Sequence, residues 1–306
     1  MDRHELLRRI TTFPLIAASL AEDILVGDFG SVFKGQGIEF DEVRRYERGD
    51  DIRSIDWNAG ARFGIPFVKL YREERDLTVL VILDISASMG GNDLTQVPGT
   101  EPVSRYEQAL LAAALILFSA ERTGQRAGAL FFDKEIRRVF PPKKGRRNTM
   151  AIITGALNFQ GSLSDQGSDL GAALVGAGRL LKRRSLAVVI SDFFSVNWEQ
   201  QLGDLSRAHD VIAIRISDPL DEKMPNAGLL SLEDPETGIR IQGTTGFSGF
   251  RSAWKDWHDE KAQLWESLCR RAGAAHLELS TQADAAAALF RFFKGEVRPA
   301  GRTGRR

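Results

Sequence analysis

Asp84, Ser86 and Ser88 form a D-x-S-x-S run directly after five consecutive apolar residues, Val79-Leu-Val-Ile-Leu83. One carboxylate and two hydroxyls at this spacing suit a small hard cation such as Mg²⁺, which prefers oxygen ligands and keeps some of its waters. The same run also suits a plain strand-ending turn, in which Asp and Ser satisfy backbone amides. Two other stretches supply oxygens of the same kind. Ser168-Asp169 closes a Gly/Ser/Asp-rich segment ahead of an apolar helical pattern, and Ser191-Asp192 follows the apolar run Leu186–Ile190. Ser168-Asp169 reads equally as a helix N-cap, which is compatible with metal binding. Asp192 reads equally as a turn residue. If the two apolar runs are neighbouring strands, all three loops meet at one sheet edge, where open α/β sheets bind ligands. Three such loops in this order favour a metal site, with Asp84, Ser86, Ser88, Ser168 and Asp192 as ligands to Mg²⁺ or Mn²⁺. A site built largely from hydroxyls leaves the ion electrophilic, so that an outside carboxylate can fill an open position.

The elements that must position these loops follow from the pattern of apolar residues. Leu77–Asp84, Ala127–Phe132, Leu186–Ile190 and Val211–Ile216 are short continuous apolar runs, as expected of parallel strands covered on both faces. His276–Leu279 adds a last strand. Ile136–Phe140 is a short strand paired to Ala127–Phe132 through the Asp133-Lys134-Glu135 turn. Helical patterns cover residues 104–121, 148–158, 170–181, 198–208, 248–272 and 283–293. Ser104 and Glu107 stand at capping-box spacing before the first of these. Leu229–Leu232 and Ile239–Ile241 flank Asp234-Pro-Glu-Thr-Gly238, a hairpin signature. Strands alternating with helices predict a doubly wound α/β fold with a mostly parallel sheet.

Bulk composition narrows the function. The 306 residues hold 41 Lys+Arg and 41 Asp+Glu, a balance that argues against a dedicated nucleic-acid or membrane-surface binder. The basic turn of Lys143, Lys144, Arg146 and Arg147 stays open between a solvated turn, a nucleic-acid contact and a docking face for an acidic partner. The single cysteine, Cys269, excludes an intrachain disulfide or a Cys-rich zinc site. The opening Met1–Arg9 is not followed by an apolar core and a cleavage site, so no secretory leader is expected. The longest apolar run, Ala109 to Phe118, is far short of the roughly 20 residues a membrane span needs. These features predict a cytoplasmic protein with no membrane span.

Three parts are expected: residues 1–76 as an N-terminal helical and charged segment, 77–294 as the α/β domain with a hairpin insertion at about 225–245, and 295–306 as a disordered basic tail. The opening helix should break at Phe13-Pro14. Between Glu39 and Asp56 lie seven acids and four arginines. With Phe40, Tyr46 and Trp57 interleaved, they predict an irregular, partly extended appendage held by ion pairs. Arg44, Arg48, Arg53 and Arg62 would face Glu39, Asp50, Asp51 and Asp56.

The D-x-S-x-S run, with Ser168 and Asp192, resembles the metal-ion-dependent adhesion site (MIDAS) of von Willebrand factor A domains. There a second-loop Thr ligates, where this chain has Ser168, and a third-loop Asp acts through water. A second resemblance lies in Gly35-Gln-Gly-Ile-Glu-Phe-Asp-Glu-Val-Arg-Arg-Tyr-Glu-Arg-Gly-Asp-Asp-Ile-Arg-Ser-Ile-Asp-Trp57 with Ala61-Arg62, Lys69–Arg75, Ser191-Asp-Phe-Phe194 and Asp218-Pro219. These are similar to hallmarks of the domain of unknown function 58 family. That resemblance implies a von Willebrand factor A-like, Rossmann-like fold. Members are commonly encoded beside MoxR-type AAA+ ATPases. It therefore implies a chaperone-like or adaptor partner of such an ATPase, or of its client, binding protein rather than nucleic acid. No catalytic constellation stands out, so a non-enzymatic, metal-dependent binding module is expected. The alternative is a metal-assisted phosphohydrolase with Asp84 as its nucleophile. Such enzymes usually place a second Asp two residues on, where this chain has Ser86.

Overall fold

The sheet is organised around the strand that ends in Asp84. Its Val/Leu/Ile composition suits a strand with helices on both faces, and every residue from Val79 to Asp84 is buried. The computed structural model describes residues 38–46, 64–73, 77–90, 103–159, 167–222, 228–233 and 240–295, with single positions 6, 8, 10, 13, 55 and 57. Two compact units divide the chain, one of residues 30–76 and one of residues 1–29 with 77–306.

In the smaller unit, β1 (Ile38–Arg45) pairs antiparallel with β2 (Phe67–Glu73), and the register shifts between Phe40 and Glu42. Ile55 bridges to Val68, and the Tyr46 amide donates to the Pro66 carbonyl at 3.0 Å. The ion pairs expected of the charged run lie outside the described residues. So do the expected break at Phe13-Pro14 and the basic tail 296–306.

In the larger unit, β3 (Thr78–Asp84) leads through a 3₁₀ turn at Ala87–Gly90 to helix α1 (Arg105–Arg122). Then come β4 (Arg126–Phe132), β5 (Ile136–Lys143), α2 (Arg146–Leu157) and α3 (Leu170–Leu180). They are followed by β6 (Leu186–Ser191), α4 (Glu199–Ala208), β7 (Asp210–Ser217) and the short α5 (Pro219–Glu222). An antiparallel pair, β8 (Leu229–Glu233) and β9 (Arg240–Thr244), precedes α6 (Ser248–Ala272), β10 (Ala275–Ser280) and α7 (Ala285–Phe293). The main sheet runs β10-β7-β6-β3-β4-β5, parallel throughout except for β5. From β3 the chain moves outward to β4 and β5. It then returns to β6 on the other side of β3 and continues outward to β7 and β10. The order therefore reverses between β3 and β6, the switch point at which doubly wound sheets bind ligands.

Helix α1 is buried from Tyr106 through Ala120, because its sequence is apolar or small on every side. Its start has the predicted capping box: the Glu107 amide donates to Ser104 Oγ at 3.1 Å, and the Ser104 amide donates to Glu107 Oε2 at 2.9 Å. Strand β5 runs past the expected end at Phe140 to Lys143, through Pro141 and Pro142. Prolines are tolerated there because β5 is an edge strand and need not donate outward. Gly128 lets β5 lie close on β4, and Gly155 lets α2 lie close on Phe140 of β5. A Cβ on Gly128 would lie 2.7 Å from the Phe140 carbonyl oxygen, and one on Gly155 would lie 2.6 Å from the Phe140 ring.

These contacts set opposite outcomes for two substitutions. Gly128→Ala meets backbone and should destabilise the fold by about 1–3 kcal/mol. Gly203→Ala, mid-helix with nothing within 4 Å of the added carbon, should stabilise it by about 0.5–1 kcal/mol. Urea unfolding followed by circular dichroism checks both; similar midpoints for the two variants would contradict the packing described.

Candidate functional site

The crevice between the carboxyl ends of β3 and β6 collects the three oxygen-bearing loops. Asp84 ends β3 with no solvent exposure, and its two oxygens are held separately. Oδ1 accepts from the Ser86 amide at 2.9 Å and the Ser86 hydroxyl at 2.6 Å. Oδ2 accepts from the Ser168 hydroxyl at 3.2 Å and the Ser191 hydroxyl at 2.6 Å. The Ser86 and Ser88 hydroxyls lie 3.1 Å apart. Ser86, Ser88 and Ser168 thus lie together around Asp84.

The second loop is fixed by its neighbours. The Asp169 amide donates to the Asp133 carbonyl at 2.9 Å. The Asp169 carboxylate caps α3 by accepting from the Ala172 amide at 2.8 Å. Asp169 is therefore the N-cap, and it leaves the Ser168 hydroxyl to face Asp84.

The third loop is strained. Phe193 and Asn197 hold φ of 59° and 61°, left-handed values that cost a residue with a Cβ roughly 1–3 kcal/mol. The Phe193 ring offsets this by burial, packing at 5.3 Å from Trp198 and 5.6 Å from Trp265. The turn places Asp192 with Oδ1 accepting from the Phe194 amide at 3.0 Å. Its Oδ2 is buried and has no hydrogen-bond partner among the described residues.

A buried carboxyl with a like charge nearby is harder to ionise. Burial, and then the charge of Asp192, push the Asp84 carboxyl up to about 7 from an ordinary 3.8, against the donors Ser191 and Ser86, which favour the anion. The donor set of carboxylates and hydroxyls is hard oxygen throughout, which fits Mg²⁺ or Mn²⁺ rather than a softer metal. The unpartnered Asp192 oxygen fits a cation too, since a buried polar atom left unsatisfied is costly. Among the described residues no group of three or more His, Cys, Asp or Glu side chains is placed to hold a metal.

Two participants lie outside the expected ligand set. Ser191 donates to Asp84 and also accepts from the Phe193 amide at 3.0 Å; the signal was a hydroxyl closing an otherwise wholly apolar strand. Arg105 donates to the Ser88 carbonyl at 3.2 Å and to Asp221 Oδ1 at 2.6 Å, and its guanidinium lies 5.7 Å from the Phe194 ring centre. It therefore ties the first and third loops together. An arginine in the first turn of a helix opposes the helix dipole, and that misplacement is the clue to its use.

A doubly wound α/β domain with D-x-S-x-S at its switch point is von Willebrand factor A-like. The chain belongs to the family described as Protein of unknown function DUF58, whose profile matches residues 42–263. Uncharacterized proteins of Mycobacterium tuberculosis and Mycobacterium bovis are 30% identical over 240 residues, 78% of this chain and 74% of theirs. Among solved structures, it is similar to an aerotolerance-related membrane protein from Bacteroides fragilis, at 18% identity and a TM-score of 0.47, over 70% of this chain and 94% of that one. It is also similar to a von Willebrand factor type A protein from Catenulispora acidiphila, at 13% identity and a TM-score of 0.39, over 77% of this chain and 44% of that one. Among the described residues, no helix of this chain is long and apolar enough to cross a membrane.

The raised Asp84 carboxyl gives a signed prediction for the metal-free chain. A folded-state value above the unfolded one means that the folded chain keeps a proton the unfolded chain releases. This contribution is present below about pH 4 and is lost as pH rises toward 7. In EDTA, the stability of the wild type relative to Asp84→Asn should fall between pH 5 and pH 8. Saturating Mg²⁺ at pH 8 should restore it, because a ligand bound only by the folded state stabilises that state. Thermal unfolding of both proteins across this range tests it, and parallel curves insensitive to Mg²⁺ would contradict it.

Proposed function

We propose that the chain is a non-enzymatic, metal-dependent protein-binding module acting in the cytoplasm. In this reading Asp84, Ser86, Ser88, Ser168 and Asp192 hold Mg²⁺ or Mn²⁺, and the site grips an acidic side chain of a partner protein. The observation that carries the reading is the buried, unpartnered Oδ2 of Asp192 beside the wholly buried Asp84. When bound, the ion supplies positive charge and an open position for an outside carboxylate oxygen. Asp84 anchors the centre, held by four hydrogen bonds from three serines. The Ser86, Ser88 and Ser168 hydroxyls contribute oxygens without adding negative charge, so an incoming carboxylate meets little repulsion. Arg105 fixes the Ser88 backbone and so the shape of the first loop.

The partner proposed is a MoxR-type AAA+ ATPase or its client. Support for it is family membership, together with a site suited to capturing a carboxylate. No nucleic acid is part of this reading. The test is co-purification of the tagged chain with the MoxR-type ATPase of its own organism, comparing wild type and Asp84→Ala in Mg²⁺ and in EDTA. Capture by wild type in Mg²⁺ alone, with at least a tenfold loss in the other three conditions, is expected. Equal capture in all four would sink the metal-dependent mechanism and move attention to residues 39–56.

A further inference from the structure

We propose that the outer side of β5, with the turn that follows it, is a docking surface for an acidic, extended protein segment. This surface is separate from the metal loops and independent of their role. From Ile136 to Ser164 the chain has no Asp or Glu and six cations, Arg137, Arg138, Lys143, Lys144, Arg146 and Arg147, although the whole chain is balanced at 41 of each sign. The fold does not scatter this excess. Strand β5 is the edge of the six-stranded sheet and, among the described residues, pairs only with β4. The side chains from Ile136 to Val139 are exposed, as are Lys143, Lys144, Arg146 and Arg147.

The chemistry of the surface selects its occupant. Arg137 is already committed, at 2.7 Å to Asp133 and 2.6 Å to Glu135. Arg138 lies over the Phe140 ring at 4.8 Å, which fixes its guanidinium at the edge. The following turn is pinned to the sheet, because the Asn148 side-chain Nδ2 donates to the Ala127 carbonyl at 2.7 Å and the Lys143 carbonyl at 3.2 Å. Ile136 and Val139, which flank Arg137 and Arg138, are 39% and 42% exposed, so apolar contact is available beside the charge. An extended peptide gains main-chain hydrogen bonds on a sheet edge and reads alternate side chains. Pro141 and Pro142 lack an N–H, so strand addition stops at Phe140. Beyond it, Lys143, Arg146 and Arg147 would engage carboxylates through charge alone. A second copy of β5 is repelled by its own charge, so the same edge that resists self-pairing admits an acidic strand. Nucleic acid fits less well, since the strand exposes aliphatic side chains and covers its one aromatic ring with Arg138.

The probe is a fluorescein-labelled peptide of about ten residues alternating Glu and Val, a length that spans one strand. It is read by anisotropy against wild type and against the Arg138→Glu, Arg146→Glu, Arg147→Glu triple variant. A triple Arg→Gln variant serves if charge reversal lowers the thermal midpoint. Expected are salt-sensitive binding, at least tenfold weaker in the variant and the same in Mg²⁺ and EDTA, and slowed amide exchange confined to residues 136–140. Each of the following overturns the proposal: no binding at low salt, equal binding by the variant, loss of binding in EDTA, or tighter binding of duplex DNA to the same face.

Discussion

The structure depends on how two carboxylates are buried at the ends of adjacent parallel strands. Asp84 closes β3, and Asp192 follows β6. Asp84 is not at a position that a carboxylate occupies cheaply, because burial disfavours its charge and Asp192 opposes it. The fold answers with serine. Four hydrogen bonds hold Asp84 without adding charge, and a turn strained at Phe193 holds Asp192 with one oxygen left over. The sheet order brings the two strand ends side by side.

The sheet was legible because each parallel strand is a short, bounded run of Val, Ile and Leu, and because each such run alternates with a helical pattern. Turn chemistry placed the hairpin between β4 and β5 and the one between β8 and β9. Capping chemistry placed the start of α1 at Ser104. Edges were less legible: Pro141 and Pro142 argue against a strand, and only the position of β5 at the sheet margin reconciles them with pairing to β4. The short α5 at Pro219–Glu222 was not foreseen, since four residues carry no periodicity.

At the site, Asp84, Ser86 and Ser88 were readable because they lie within five positions of one another in the chain. Ser168 and Asp192 were readable only through the assumption that β3 and β6 are neighbours, which their pairing in the sheet bears out. Ser191 and Arg105 escaped for a common reason. Ser191 acts on Asp84 across 107 positions of sequence, and Arg105 reaches Asp221 across 116. Local pattern cannot report contacts of that length. Phe193 escaped for another reason: aromatic residues carry no sequence mark of left-handed backbone, which is found from coordinates alone.

Anomalous X-ray scattering from crystals grown in Mn²⁺ tests the central claim most directly. The account predicts a manganese peak in the crevice, within coordination distance of the Ser86, Ser88 and Ser168 hydroxyl oxygens and on the side of Asp84 and Asp192, absent from Asp84→Ala crystals grown alike. A wild-type crystal with no anomalous density there, at Mn²⁺ concentrations that label other surface carboxylates, would contradict it.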